Sequence, residues 1–274
     1  MRWLLLDAGN TALKWALTGT HEPSALARGI LELGAGRGEA LADALRQSLR
    51  ESPGGGRGAQ AFACSVASHA VTHEIAAAVA ALTHDEVRWM SSQARFELHG
   101  VELVNGYRDP AQLGADRWHA LIAARLSFPD QPLVVVCAGT ATTVDSVDAA
   151  GRFLGGVIAP GTSLMTDSLA RGTARLPRST GRPVTMPDNT DDAIATGVAD
   201  ALAGLVERRV RALERAMAPP RLLVAGGGAG ELAARLTLAG EVSGITIEEH
   251  LVLRGLWFRA LAAGEAGAER VDPK

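Results

Sequence analysis

The sequence predicts an α/β protein built of two related lobes that face a common cleft. Two observations carry this prediction: strand and helix patterns alternate along the chain, and a glycine-containing hairpin occurs twice. Each hairpin has an apolar run, a break at Ala-Gly and a second strand. Because an internal repeat of this size indicates two related structural units, each lobe is expected to present one hairpin to the cleft.

The first hairpin has more polar chemistry than a turn requires. An apolar run ends at Asp7, and the chain turns at Gly9 and Asn10 before a second strand that contains Lys14. Both turn residues tolerate positive φ, so turn chemistry alone explains them. It does not explain the carboxylate or the ammonium, and Lys14 is one of only two lysines. Backbone N–H groups of such a turn bind phosphate oxygens, and Asp7 is suited to a cation that neutralises them.

The second hairpin and a late glycine turn extend this pattern. The β-branched run 133–136 breaks before Gly139 and Thr140 and resumes at Val144. A third strand, 221–225, ends at three consecutive glycines from Gly226. Their spacing excludes the Gly-x-Gly-x-x-Gly dinucleotide fingerprint, and no P-loop motif occurs. Glycines at this turn let the backbone approach a ligand closely.

Four motifs in order resemble a known kinase family. They are Asp7-x-Gly9-Asn10-Thr11 with Lys14, Gly114-Ala115-Asp116-Arg117, Gly139-Thr140-Ala141-Thr142-Thr143-x-Asp145, and Gly155-Gly156-x-Ile158-x-Pro160-Gly161. As a set they resemble type III pantothenate kinases, which belong to the actin, hexokinase and Hsp70 superfamily of ribonuclease H-like ATPases. The resemblance extends from residue 4 to about residue 230.

The resemblance implies a function and a set of ATP-binding residues. The expected reaction is ATP-dependent phosphorylation of pantothenate to 4′-phosphopantothenate, the first step of coenzyme A biosynthesis. Asp116 is the implied catalytic base, and Asp7 is the implied Mg²⁺ ligand. The residues implied for ATP and its phosphates are Asp7, Ala8, Gly9, Asn10, Thr11, Ala12, Leu13, Lys14, Gly139, Thr140, Gly226 and Gly227. The alternatives are a sugar-type kinase of the same superfamily and a non-catalytic regulator that retains the fold.

The implied pantothenate contacts come from three parts of the chain. They are Tyr107, which is the only tyrosine, the motif residues Gly114, Ala115, Asp116 and Arg117, and Thr190. Asp116 stands where a helical pattern begins, so an N-cap role alone would also explain it. Thr190 likewise precedes a helix predicted over residues 191–217, where it caps together with Asn189.

Composition limits the remaining possibilities. The 274 residues suffice for two lobes, predicted as 1–117 and 118–274. A hydrophobic fraction of 47% is typical of a globular protein, and a net charge of −3 argues against a nucleic-acid or membrane-surface binder. Both cysteines lie in apolar runs, which indicates buried thiols, and no apolar stretch is long enough to span a membrane. We therefore expect a cytoplasmic protein, and the resemblance implies a homodimer.

One position departs from the resembled family. Many members depend on potassium or ammonium, and an aspartate two residues before the second hairpin's glycine helps to bind that ion. Here Cys137 stands at that position. A neutral thiol is a poor ligand for a hard monovalent cation, although backbone carbonyls and a partner subunit can also supply oxygens. The resemblance therefore implies a weakened monovalent cation site.

Hydrophobic periodicity predicts the remaining elements. Helices are expected over 36–49, 73–82, 162–170 and 251–263 and from Asp116, strands over 61–66, 86–90 and 153–159, and loops over 52–58 and 172–190. His69 and His73 are four residues apart, but no acidic or thiol partner stands at metal-ligand spacing. A solvated helix start is the preferred explanation of this histidine pair.

Overall fold

The computed structural model describes residues 2–19, 25–33, 43–47, 50, 58–239 and 244–268. In these residues the strands are β1 (Arg2–Ala8), β2 (Ala12–Gly19), β3 (Ala25–Glu32), β4 (Ala59–Ser65), β5 (Val87–Trp89), β6 (Arg95–Leu98), β7 (Val101–Val104), β8 (Leu133–Ala138), β9 (Ala141–Val147), β10 (Phe153–Pro160), β11 (Arg221–Ala225) and β12 (Ile245–Ile247). The helices are α1 (His69–Thr83), α2 (Ala115–Ser127), α3 (Thr162–Gly172), α4 (Thr190–Ala216), α5 (Ala229–Ala239) and α6 (Leu251–Ala268), with a 3₁₀ turn at Pro110–Gln112.

Two five-stranded sheets have the same topology. The first has the order β3-β2-β1-β4-β5 and the second the order β10-β9-β8-β11-β12. In each sheet the first three strands along the chain pair antiparallel and the last two add in parallel. The α/β class and the internal repeat predicted from the two hairpins are therefore confirmed.

The chain forms two compact units. The first comprises the described residues of Met1–Gly100, Arg108–Ala123 and Leu251–Lys274, and the second those of Val101–Tyr107 and Ala124–His250. The predicted lobes, 1–117 and 118–274, are consecutive in the chain, whereas these units are interleaved. The lobe boundary stays a prediction.

The first sheet is covered by helices on both faces. β1 contributes Leu4 and Leu6 to a core with α1, and Trp3 and Leu5 to a core with α6. Because side chains alternate along a strand, Asp7 shares the face of Trp3 and Leu5. The short apolar run of β1 is thus buried on both sides, which explains why it lacks polar alternation.

The second sheet packs on α4 and α5. Val134 and Val136 of β8 join Val206 of α4 and Leu232 of α5 in one core. The residues of β8 on the opposite face include Cys137, which is half-buried. Cys137 precedes Gly139 by two residues, as Asp7 precedes Gly9, so the two side chains take equivalent places in equivalent strands.

Several element predictions need correction. The strands β3, β6, β7 and β12 and the helix α5 were not predicted. Helix α1 begins four residues earlier than expected because Ser68 caps it and accepts the Val71 N–H at 3.5 Å. Of the helix predicted over 36–49, residues 43–47 are helical and the others lie outside the described part; residue 50, just beyond the predicted end, is helical too. The loop predicted over 52–58 lies outside it too, except for Gly58. No helix in the described residues is long and apolar enough to cross a membrane.

Candidate active site

The first hairpin places a carboxylate between two strand neighbours. Asp7 is the cross-strand partner of Lys14 on β2 and of Cys64 on β4. Lys14 Nζ lies 3.9 Å from Asp7 Oδ2, and Cys64 Sγ lies 3.8 Å from Asp7 Oδ1 as a weak donor. The Asp7 side chain is only 9% exposed, whereas Lys14 is 33% exposed and can reach solvent. The carboxylate is therefore oriented from both sides of β1.

Burial sets the protonation of this carboxylate. It raises the pKa of Asp7 from 3.8 to about 6, and the ammonium of Lys14 partly opposes that rise. The negative charge of Asp116 raises the pKa of Asp7 further. The same burial, with the charge of Asp7, holds the pKa of Cys64 well above 9.0, so Cys64 stays a thiol. Asp7 is mostly ionised at neutral pH and carries a buried charge that a cation would stabilise.

The turn between β1 and β2 does not need the glycine conformation that the sequence suggested. Neither Gly9 nor Asn10 has a positive φ. The Gly9 N–H donates to Ala12 O at 3.0 Å, and a Cβ on Gly9 would lie 3.2 Å from that oxygen. Turn conformation is therefore the wrong explanation for these two residues, and only a tight Cβ contact disfavours a side chain at Gly9.

The start of α2 holds the candidate base. The helix begins at Ala115, so Asp116 lies in its first turn and is not the N-cap residue. Asp116 Oδ1 accepts the N–H of Arg117 at 2.8 Å, and the carboxylate is half-buried. A Cβ added to Gly114 would lie 2.6 Å from Asp116 Oδ1. Gly114 therefore makes room for this carboxylate.

The first unit brings these groups to one face of its sheet. Ala115 packs against the core cluster of Trp3, Leu5 and Cys64, which is the face that also carries Asp7. Asp116 lies near enough to Asp7 for their charges to interact. The sequence did not indicate that Cys64 belongs to this site. The two residues are far apart in the chain, and Cys64 contacts Asp7 only because β1 and β4 pair in parallel.

The second hairpin is a two-residue turn. Gly139 and Thr140 are exposed between β8 and β9, and the Gly139 N–H donates to Ala141 O at 3.1 Å. Gly139 lacks positive φ, and an added Cβ would meet Ala141 O at an ordinary 3.7 Å. Nothing in the described structure requires glycine at this position. A ligand that approaches the backbone closely is an explanation that remains.

Two further glycines pack on this hairpin. The Gly161 N–H donates to Thr140 O at 2.9 Å, and an added Cβ would lie 2.0 Å from Gly139 O. Gly226 has φ +96°, and its Cβ would lie 2.3 Å from Ala138 O. Both glycines are therefore needed for contacts within the protein. Gly161 was not among the predicted site residues, although its motif was noted.

The other predicted contacts also lie in the second unit. The Tyr107 ring lies 5.2 Å from the Phe153 ring. Thr190 is exposed at the first position of α4, behind the N-cap Asn189, whose side chain accepts the Asp192 N–H at 3.0 Å. Thr190 borders an apolar groove of about 600 Å³ between α3 and α4. Gly227 has open space around it.

Comparison with known proteins decides the family. The family model described as type III pantothenate kinase matches residues 3–212. A type III pantothenate kinase of Janthinobacterium sp. (strain Marseille) is 40% identical over 261 residues, which is 92% of this chain and 95% of the relative. The chain belongs to the type III pantothenate kinase family. The family that the sequence motifs resembled is therefore confirmed.

Solved structures support the fold expected of a type III pantothenate kinase. The activator of 2-hydroxyisocaproyl-CoA dehydratase from Clostridium difficile, with bound ADPNP, has a TM-score of 0.55 and 14% identity, covering 100% of this chain and 99% of that one. MreB 5 of Spiroplasma citri, bound to AMPPNP, has a TM-score of 0.53 and 9% identity, covering 98% of each chain. At such identities the likeness concerns the fold alone, which is the actin-like fold predicted from the sequence.

The described residues of this family member contain no group of three or more His, Cys, Asp and Glu side chains that could hold a metal ion. This does not disfavour Mg²⁺, which keeps several waters and is bound by one or two carboxylates together with substrate phosphates. Asp7 offers one hard oxygen donor with a buried negative charge. The donor set therefore fits Mg²⁺ held jointly with a nucleotide.

Proposed function

We propose that the chain transfers the γ-phosphoryl group of ATP to the 4′-hydroxyl of pantothenate, the first step of coenzyme A biosynthesis. Membership of the type III pantothenate kinase family supports this reaction. The single observation that carries it is the half-buried Asp116 carboxylate, which lies over Gly114 on the face of the sheet that also carries Asp7.

Asp116 acts as the base for the hydroxyl proton. An aspartate is weakly basic towards an alcohol, but phosphoryl transfer has a loose transition state in most analyses, so the proton leaves late. Positioning then matters more than basicity. The Arg117 N–H holds one carboxylate oxygen, and Gly114 leaves space beside it. Arg117 itself is buried, and together with Gly114 and Ala115 it forms the pantothenate contacts of this motif.

Asp7 would hold Mg²⁺, which would neutralise charge on the ATP phosphates. Its contacts with Lys14 and Cys64 orient the carboxylate, and burial strengthens its attraction for a cation. Lys14 remains one-third exposed, so its ammonium binds a phosphate oxygen while it stays beside Asp7. Ala8 to Leu13, which form the turn and the adjoining ends of β1 and β2, bring the backbone of this hairpin close to the phosphates.

The second hairpin binds phosphate oxygens through the backbone of Gly139 and Thr140. Support comes from Gly139, where an added Cβ would make only an ordinary contact, so the protein's own contacts leave the glycine unexplained. Gly226 and Gly227 approach the adenosine of ATP. Gly226 is fixed by its contact with Ala138 O, and Gly227 has room for a ligand.

The expected assembly is a homodimer. Its pantothenate pocket includes Tyr107 and Thr190. Support comes from the apolar groove beside Thr190 and from α3, none of whose residues is fully buried. Leu164 and Leu169 of α3 are 40% and 36% exposed. A second copy of the chain would remove these side chains from water.

A substrate screen tests the proposal. ADP formation with Mg²⁺ and ATP is measured for pantothenate and for a set of hexoses, and the phosphorylated product is identified by mass. Pantothenate alone should support turnover, with one phosphate added. Turnover with a hexose in place of pantothenate would establish the sugar-kinase alternative, and no turnover with any acceptor would favour a non-catalytic regulator.

A further inference from the structure

We infer that Arg125 is a positioning residue for the pantothenate pocket, acting through the segment that carries Tyr107. The inference rests on the proposed function, because it takes Tyr107 as a pantothenate contact. Arg125 lies in the last turn of α2 and belongs to the second unit, as does the whole segment 101–107.

The guanidinium of Arg125 is buried and bonded mainly to backbone. Its side chain is 6% exposed. Nε donates to Glu102 O at 3.1 Å, and Nη1 donates to Ala149 O at 3.0 Å. Nη2 lies 3.8 Å from Asp130 Oδ1, but Asp130 is 91% exposed, so this ion pair is weak. One side chain thus ties β7 to the turn between β9 and β10.

The junction around this guanidinium has no spare space. Gly151 has φ +85°, and its carbonyl accepts the N–H of Val104 at 2.9 Å. A Cβ on Gly151 would lie 2.2 Å from Glu102 O and 2.8 Å from Arg125 Nε. The turn between β9 and β10, strand β7 and the Arg125 guanidinium are therefore packed so closely that none can move without the others.

The far end of the same segment holds Tyr107. Asn105 is buried, and its Oδ1 accepts the Tyr107 N–H at 3.1 Å. A Cβ on Gly106 would lie 1.9 Å from Phe153 O, and the rings of Tyr107 and Phe153 pack at 5.2 Å. The segment is thus anchored at Glu102 by Arg125 and at its end by Phe153, with four residues between Glu102 and Tyr107.

The buried Arg125 guanidinium is better explained by a role in orienting the backbone that it bonds than by a contribution to folding stability. Removing a guanidinium from water is costly, and neutral carbonyls compensate it less well than a buried carboxylate. The planar fork of arginine bonds two carbonyls in fixed directions, which the single ammonium of lysine does not reproduce. Arg125→Lys should therefore retain the charge and lose the fixed geometry of Glu102.

A fluorine label makes the expected effect observable. Because Tyr107 is the only tyrosine, 3-fluorotyrosine gives a single ¹⁹F resonance. In Arg125→Lys this resonance should shift or broaden, and KM for pantothenate should rise by about tenfold while KM for ATP stays within about twofold. Arg235→Lys, at a partly buried arginine of α5 that pairs with Asp200 of α4, is the matched control and should change neither quantity.

A double-mutant cycle separates positioning from general destabilisation. If Arg125 acts through Tyr107, its effect on KM for pantothenate should largely disappear in a Tyr107→Ala background. Arg125→Met replaces the buried guanidinium by an apolar side chain of similar length and should reproduce the selective KM effect if Arg125→Lys folds poorly. An unchanged ¹⁹F resonance and KM, or full additivity with Tyr107→Ala, would overturn the inference. A wild type that does not phosphorylate pantothenate overturns the proposed function instead.

Discussion

The Asp116 carboxylate occupies the space that a side chain on Gly114 would take. A methyl group on Gly114 would lie 2.6 Å from Asp116 Oδ1, inside van der Waals contact. The clashing atom is the end of a side chain, so the backbone of α2 can stay in place while the carboxylate moves. The orientation of the proposed base therefore depends on the absence of a side chain two residues before it.

Asp116→Asn tests the base directly. The amide cannot accept the hydroxyl proton, so kcat should fall by about 10²–10⁴-fold while the fold and ATP binding are retained. Steady-state kinetics and ATP titration measure the two effects. Asp109→Asn is a matched control, since Asn is as good an N-cap as Asp for the 3₁₀ turn at Pro110. Retention of more than about a tenth of wild-type kcat would refute the assignment.

Gly114→Ala should reduce kcat with little loss of stability. The added methyl displaces the Asp116 carboxylate, and a shift of about 1 Å in a reacting group can cost 10²-fold in rate. Thermal unfolding and kcat are measured together. Gly204→Ala on α4, where an added Cβ meets nothing within 4 Å, is the control and should keep full activity. Equal kcat in the two variants would show that Gly114 does not set the carboxylate position.

Lys14→Ala should raise KM for ATP much more than KM for pantothenate. Lys14 is oriented by Asp7 but one-third exposed, which suits an ammonium that binds phosphate. Lys14→Arg tests whether any cation suffices, because the larger guanidinium has a different shape. KM values for both substrates are compared across the two variants. Equal changes for the two substrates would support a surface lysine without a phosphate role.

Asp7→Asn should stabilise the protein without Mg²⁺, and more so as pH rises. The pKa of Asp7 is 3.8 in the unfolded chain and about 6 when folded, so the folded state binds more protons between these values. Stability from this carboxyl is therefore greatest below pH 3.8 and is lost as pH rises through about 6, by about 3 kcal/mol. Asparagine does not ionise, so the Asp7→Asn variant does not lose this stability as pH rises.

Thermal unfolding of Asp7→Asn and wild type at several pH values between 4.5 and 8 measures this effect. The Tm advantage of the variant should grow across the range and reach a plateau above the folded pKa. Asp109→Asn, which makes the same substitution at an exposed aspartate, is the control. A constant difference at all pH values would mean that Asp7 does not carry a destabilising charge.

Because Cys137 is a thiol, we expect potassium to activate the kinase reaction only weakly. In equivalent strands Cys137 takes the place of Asp7, and its cross-strand partner Thr143 has a buried hydroxyl oxygen without a hydrogen-bond partner among the described residues. A thiol adds no hard oxygen to that hydroxyl. Activity is measured in sodium, potassium and ammonium salts at equal ionic strength. Cys137→Asp should increase potassium activation, and a strong requirement in wild type that the substitution leaves unchanged would contradict the prediction.

The sequence alone determined the class of fold, the two hairpins and the family. Each hairpin is a local feature: an apolar run, a break at Ala-Gly and a second strand lie within about 15 residues. Such features depend on short-range geometry and are visible as residue order. The start of α2 near Asp116 and the helix behind Asn189 were visible for the same reason, because caps and periodicity are local.

Only the tertiary structure decided what surrounds those residues. Cys64 meets Asp7 through the parallel pairing of strands that are more than fifty residues apart, and Gly161 meets Gly139 through the return of β10. β3 was missed because its strand conformation depends on pairing with β2 more than on its own alternation. The burial that raises the pKa of Asp7 depends on segments that are far apart in the sequence. The contacts of Arg125 do so as well. Residue order contains the chemistry of each group, but the environment that tunes it exists only once the sheets and helices have packed.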